Sequence, residues 1–382
     1  MSRGGDERLR ITFTYWGRRG FGRFALDIAR AATADESLDA TFSVSRQNEA
    51  FAEFEALGDA VVAVDTFSSA PDALLGAGRV FSIRRTLRRH VARHRTQAVV
   101  ELMPHVWSPL VMPAVSSAGV AYLTTVHDAL THPGDHRSHA AAWLLRRATQ
   151  QADGILTLSH QVAAQIKKRG LDRKERVFEL FLPDLGVASR RRAEPPSEGR
   201  PWRLLFLGRI LSYKGLPLFL DMVDELRRRG IGVEIGVYGE GDLGACETRL
   251  ARLGAEVVNR WLTEQEIETA LGRFHAVVLS HTEASQSGVA AAAFGAAVPV
   301  IATPVGGLVE QIEDGVTGIL AARTDAASLA DAVTRLLRDP DHYQRICRNL
   351  VETRPDRSAA RFVQLCAQAV RSVLSSRPTR RR

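Results

Sequence analysis

Two cationic side chains, Arg209 and Lys214, lie close together in FLGRILSYKG (206–215), just past an apolar, β-rich run. A planar guanidinium and a compact ammonium at a strand end suit a pyrophosphate, since both make charge-assisted bonds to phosphate oxygens. Two basic residues in a loop are more often a solvated surface, so the pair needs support from elsewhere in the chain. TEASQSGVAAAAFGAAVPVIATPVGG (282–307) supplies it. Ser287 falls at the N-cap of a small-residue helix, whose unpaired N–H groups and positive dipole end attract anions; Gly288 and Val289 follow it. Glu283 is the only carboxylate between Ala276 and Val309.

Such residues need strand–loop–helix units to hold them. From Arg10, the runs 11–15, 41–45, 61–65, 97–103, 120–128, 154–159 and 177–183 alternate with helical patterns. A Pro-, Gly-, Ser- and charge-rich segment interrupts at 186–201. The alternation then restarts with 203–208, 233–239, 255–261, 276–280 and 298–303. Continuous apolar strands between helices indicate buried parallel sheets. The expected fold class is α/β: two doubly wound, Rossmann-like domains at 1–185 and 202–355, joined by the linker 186–201 and facing each other across a cleft. A C-terminal helix and basic tail, 356–382, is placed to pack back on the N-terminal domain. Ligands of such sheets bind at the carboxyl ends of the strands.

At 382 residues, with 45% hydrophobic and 25% charged residues, the chain has material for two cores. Its net charge of +8 favours a polyanionic partner. Cys246, Cys347 and Cys366 form no CxxC pair, which argues against a disulfide framework or zinc site. MSRGGDERLR has no apolar signal region, and the longest apolar run, 288–302, is too short for a membrane span and contains Pro299. A cytoplasmic location is expected. The segment 83–95 sets Ile83, Leu87 and Val91 on one helical face among six arginines. It reads as a surface attracted to the inner face of an anionic membrane, or as an ordinary helix with its apolar stripe in the core. Nucleic acid is disfavoured, because no aromatic–basic interleaving or binding module is present.

Other constellations compete. GEGDLG (239–244) has the GxGxxG spacing of a dinucleotide loop, but Asn259 and Arg260 occupy the next strand end where NAD would want an acid, leaving an NADP-linked oxidoreductase as an alternative. His127, His132, His136 and His139 with Asp128 and Asp135 match no closed ligand set, so no metal is expected. In ELMPHVWSP, His105 stands between Glu101 and Trp107 at a strand end, where the three could shape a pocket.

FLGRILSYKGLPLFLDMVDEL, with EASQSGVAAAAFGAAVPVIATPVGGLVEQIEDGVTGIL after it, resembles glycosyltransferase family 4 over most of 203–338. The first half resembles it more loosely, through Gly17, Gly20 and Gly22 and the TVHD at 125–128. The resemblance implies a GT-B fold and retaining transfer of a sugar from a UDP- or GDP-sugar, without metal or cofactor. The acceptor, a sugar, lipid-linked or small molecule, would bind the N-terminal domain, and the nucleotide sugar the C-terminal one. Arg209 and Lys214 would hold the diphosphate, and Ser287, Gly288 and Val289 its distal phosphate. Asn259, Arg260 and Trp261 would lie near the nucleobase and ribose. His127 would reach the donor sugar, and Glu283 would face it. Gly20, Glu101, His105 and Trp107 fall on the acceptor side. Asp153 and Ser159 match a phrase read as structural.

The chain departs from the family at two glutamates usually eight positions apart. The second falls on Ala292, and the first on Ala284, one residue after Glu283. A variant marked by SQSG does without the second acid; a catalytically degenerate, sugar-binding relative is the alternative.

Overall fold

The computed structural model describes residues 8–129, 138–172, 174–186 and 194–377. They divide into two compact units, one formed by residues up to 181 with those from 359 onward, the other by residues 182–358. The charged segment 187–193 lies outside the described residues, as do His132, Asp135 and His136.

The first unit begins β1 (Leu9–Tyr15), α1 (Gly22–Ala34), β2 (Leu38–Ser45), α2 (Phe51–Glu55) and β3 (Val61–Val64). It continues with α3 (Ala70–Leu75), α4 (Arg79–Arg93), β4 (Ala98–Glu101), α5 (Ser108–Ser117) and β5 (Ala121–Val126). Then come α6 (Ser138–Gln151), β6 (Gly154–Thr157), α7 (His160–Lys168) and β7 (Val177–Glu179). All seven strands are parallel, in the order β3-β2-β1-β4-β5-β6-β7.

The second unit runs β8 (Trp202–Leu207), α8 (Leu216–Arg228), β9 (Val233–Tyr238), α9 (Cys246–Leu253), β10 (Glu256–Val258) and α10 (Glu264–Arg273). It ends β11 (Ala276–Leu279), α11 (Gly288–Gly295), β12 (Val300–Ala302), α12 (Leu308–Gln311), β13 (Gly318–Leu320), α13 (Ala326–Leu337) and α14 (Pro340–Glu352). Its six parallel strands stand in the order β10-β9-β8-β11-β12-β13. β13, three residues long, is an addition to the strands expected from sequence.

The central strands of the second sheet are apolar where helices cover both faces. Leu204–Leu207, Val277–Leu279 and Val300–Ala302 are all buried, and Phe219, Leu220, Val223 and Leu226 of α8 repeat at helical spacing against them. The final helix, α15 (Ala359–Ser375), packs in the first unit against α1, β5 and β6. Just beyond it Arg377 donates to Asp153 Oδ2 at 2.7 Å, while Lys174 donates to Asp153 Oδ1 at 2.6 Å. Asp153 also accepts the backbone N–H of Tyr122, so it fastens three segments and is structural.

In α4, Val80, Ile83, Leu87 and Val91 are buried in the core with Trp107, Val111 and Val115. The apolar stripe therefore belongs to the fold, while Phe81, Ser82, Ala92 and Arg85, Arg88, Arg89 and Arg93 are left exposed.

A candidate anion site at the carboxyl edge of the second sheet

In the second unit the chain leaves β8 in one direction, to β9, and leaves β11 in the other, to β12. The adjacent carboxyl ends of β8 and β11 are therefore a topological switch point, where open α/β sheets hold ligands. Arg209 and Lys214 lie in the loop after β8, and Glu283 and Ser287 in the loop after β11.

Hydrogen bonds join these loops. Lys214 Nζ stands 2.8 Å from His281 Nε2. An ammonium only donates, so Nε2 accepts and the imidazole is the neutral, Nδ1-protonated tautomer. The Lys214 charge also lies over the Tyr213 ring, 5.1 Å from its centroid. Ser280 Oγ donates to the carbonyls of Lys214 and Gly215, at 3.1 and 2.8 Å, and Thr282 N–H donates to Tyr213 O at 2.8 Å. Gly215 has φ +70°, and a Cβ there would fall 1.9 Å from the Ser280 carbonyl oxygen. Only glycine allows this approach.

The start of α11 is held as firmly. Ser287 caps it, its Oγ accepting from Ala290 N–H at 3.3 Å. Gln311 of α12 bridges the same residue, accepting from Ser287 N–H and donating to Ser287 O, both at 3.0 Å. A Cβ on Gly288 would meet nothing within 4 Å. Open space at the first residue of a capped helix leaves room for an anion on its N–H groups. Arg209 and Glu283 are exposed, whereas Ala284 and Ala292 are buried.

Two residues near β10 have partners within the second unit. Arg260 pairs with Glu266, donating from Nη1 at 3.0 Å, and Glu266 forms the capping box of α10 with Thr263. Its guanidinium braces that helix start and stays exposed. Asn259 Oδ1 accepts the N–H of Gly241 at 3.1 Å, which fixes the loop after β9. Trp261 is half-buried beside them. The glycines of GEGDLG also find their reason here: a Cβ on Gly239 would lie 2.0 Å from Gly208 O, so the spacing serves the approach of two loops.

In the first unit the switch point lies between β1 and β4. Gly20, exposed at φ +91°, lies in the loop after β1. His127, just past β5, donates from Nε2 to Leu102 O at 2.7 Å. Phe21 and Phe24 enclose its ring, with centroids at 4.4 and 6.0 Å. Burial pushes its pKa down, so it is neutral, and its Nδ1 lacks a partner among the described residues. That nitrogen can accept a hydroxyl proton.

Glu101 does not fit the acceptor-side role expected of it. It is buried and accepts from Ser108 Oγ, Tyr122 OH at 2.5 Å, Thr124 Oγ1 at 2.9 Å and His105 N–H at 3.4 Å. Burial raises its carboxyl pKa while these donors oppose the rise. The carboxylate ties β4 to β5 and α5, and presents nothing to an acceptor. His105 Nδ1 accepts from Trp107 N–H at 3.2 Å, and its ring sits among Trp16, Phe67 and Trp107. Trp107 is itself buried. Among the described residues, no group of three or more His, Cys, Asp or Glu is arranged to hold a metal ion.

Residues 201–339 match the family model for glycosyl transferases group 1, and residues 19–179 that for the glycosyl transferase 4-like domain. The chain is 30% identical to the 2-deoxystreptamine glucosyltransferase of Streptomyces kanamyceticus, over 63% of its own length and 68% of that protein's. It is 27% identical to the alpha-D-kanosaminyltransferase of the same organism, over 63% of its length and 64% of that relative's. In structure it is similar to HepE from Anabaena, solved with UDP and glucose: TM-score 0.70 at 15% identity, covering 95% of this chain and 100% of that one.

Proposed function

Because the chain belongs to the GT-B glycosyltransferases, we propose that it moves a sugar from a UDP-sugar to an acceptor, with retention and without a metal ion. The observation that carries this is the Lys214–His281 contact, which pins the loops after β8 and β11 where the capped N-terminus of α11 begins. Lys214, Arg209 and the N–H groups at Gly288 and Val289 would share the charge building on the departing diphosphate, in place of a divalent cation. Glu283 would meet the positive character on the sugar, and His127 would accept from one of its hydroxyls. UDP is favoured over GDP by the nucleotide bound to HepE. By analogy with the 2-deoxystreptamine glucosyltransferase, the acceptor would be a small polar molecule bound by the first unit near Gly20 and His105.

Thermal unfolding against UDP, GDP and NADP tests the reading. UDP at a hundredfold excess over its dissociation constant should raise the midpoint by about 5 °C. UDP release from UDP-glucose should persist in EDTA. A shift with NADP alone would overturn the proposal.

A further inference from the structure

Helices α4, α5 and α6 follow one another across one face of the first sheet, with α5 packed between the other two. Together they hold eight arginines and no Asp or Glu. Without those eight, the chain's remaining 43 basic residues match its 43 acidic ones, so the whole excess of +8 sits in this layer. Arg79 is spoken for, paired with Asp72 at 2.7 Å. Arg85, Arg88, Arg89, Arg93, Arg146 and Arg147 are exposed.

Among the described residues, this layer and the loop before α5 carry four of the seven large apolar side chains left exposed. Phe81 is 73% exposed, Leu110 52%, Trp143 50% and, in the loop before α5, Val106 46%. The sheet lies beneath all three helices, so what they expose points away from it. Arg147 stands over the Trp143 ring at 5.9 Å. A groove of about 490 Å³ opens beside Trp143, lined by Arg146 and Arg169.

We propose that this helix layer docks on an anionic lipid bilayer, the arginines facing lipid phosphates and Phe81, Leu110 and Trp143 entering the interface. Cationic side chains are drawn to anionic headgroups within a Debye length, and aromatic rings favour the headgroup level. Interleaved apolar tips distinguish the surface from a purely electrostatic nucleic-acid face. The uniform charge opposes docking of a second copy through it. The inference is independent of the donor site, which lies in the other unit.

Sedimentation of the full chain with vesicles is the test. Phosphatidylcholine vesicles containing phosphatidylglycerol should bind at least about tenfold tighter than phosphatidylcholine alone, and roughly half-molar salt should abolish the difference. Joint reversal by Arg85→Glu, Arg88→Glu and Arg89→Glu, all exposed, should remove binding while unfolding stays unchanged. Trp143→Ala should weaken binding and leave its salt dependence. Arg338→Glu with Arg348→Glu, exposed in the second unit, should have no effect. Equal binding to both vesicles, or binding retained in the triple reversal, would overturn the proposal. So would tighter binding to single-stranded RNA than to phosphatidylglycerol, or a dimer that the triple reversal dissolves.

Discussion

Lys214 does not act alone. Its Nζ donates to a buried, neutral His281, which costs the ammonium none of its charge but restricts where that charge can point. Lys214→Ala should weaken UDP binding by about ten- to a hundredfold, the range of one charge-assisted contact. His281→Leu should weaken it less, because Lys214 remains but loses its direction. Calorimetric titration of both single variants and the double variant then checks the pairing: the double should equal Lys214→Ala, whereas additive losses would mean the two act separately. Glu283 belongs to a different step. Glu283→Gln should leave UDP affinity within error and lower kcat by roughly a hundredfold, as when one preorganised electrostatic partner is lost. Wild-type turnover in that variant would return Glu283 to an ordinary surface acid.

At the scale of elements, the site depends on loops held at fixed distances. Gly215→Ala would drive a Cβ into the Ser280 carbonyl at a left-handed φ, and should cost about 2 kcal/mol or more in urea unfolding. A loss no larger than that of an exposed Gly230→Ala, whose Cβ meets nothing, would show that the two loops separate easily. The strands that carry these loops were legible in the sequence, because buried parallel strands such as Leu204–Leu207 and Val277–Leu279 read as unbroken apolar runs. β13 was not: Gly318–Leu320 is too short to show a pattern, and it exists by pairing with β12. Side-chain partners were the harder part. Glu101 and Arg260 look like free strand-end charges until the fold brings Tyr122 and Thr124 to one and the α10 capping box to the other. His281 gave no signal at all, since its partner is 67 positions away. Lys214, Ser287 and the α11 start were readable because strand end, cap and small-residue helix follow one another along the chain.

Over the whole molecule, the cost of placing a basic helix against the first core appears in its response to acid. His90 lies on the buried side of α4, and its Nε2 has no partner among the described residues. Burial, helped by His94 and Arg93, pushes its pKa down from 6.5 to about 4. At neutral pH the folded chain holds it neutral and the unfolded chain mostly so, and its contribution to pH dependence there is small. As pH falls below the unfolded value, the unfolded chain takes up a proton that the folded chain refuses, and stability is lost until the folded value is reached. By pH 5 this amounts to about 1–2 kcal/mol, allowing for partial solvent screening. Urea unfolding of the wild type should therefore weaken between pH 7 and pH 5 by about that much more than unfolding of His90→Leu, which has no proton to gain. Leucine fills a similar volume at this buried position, so the comparison isolates the titration rather than a cavity. Equal losses in the two proteins would place the acid sensitivity on another group.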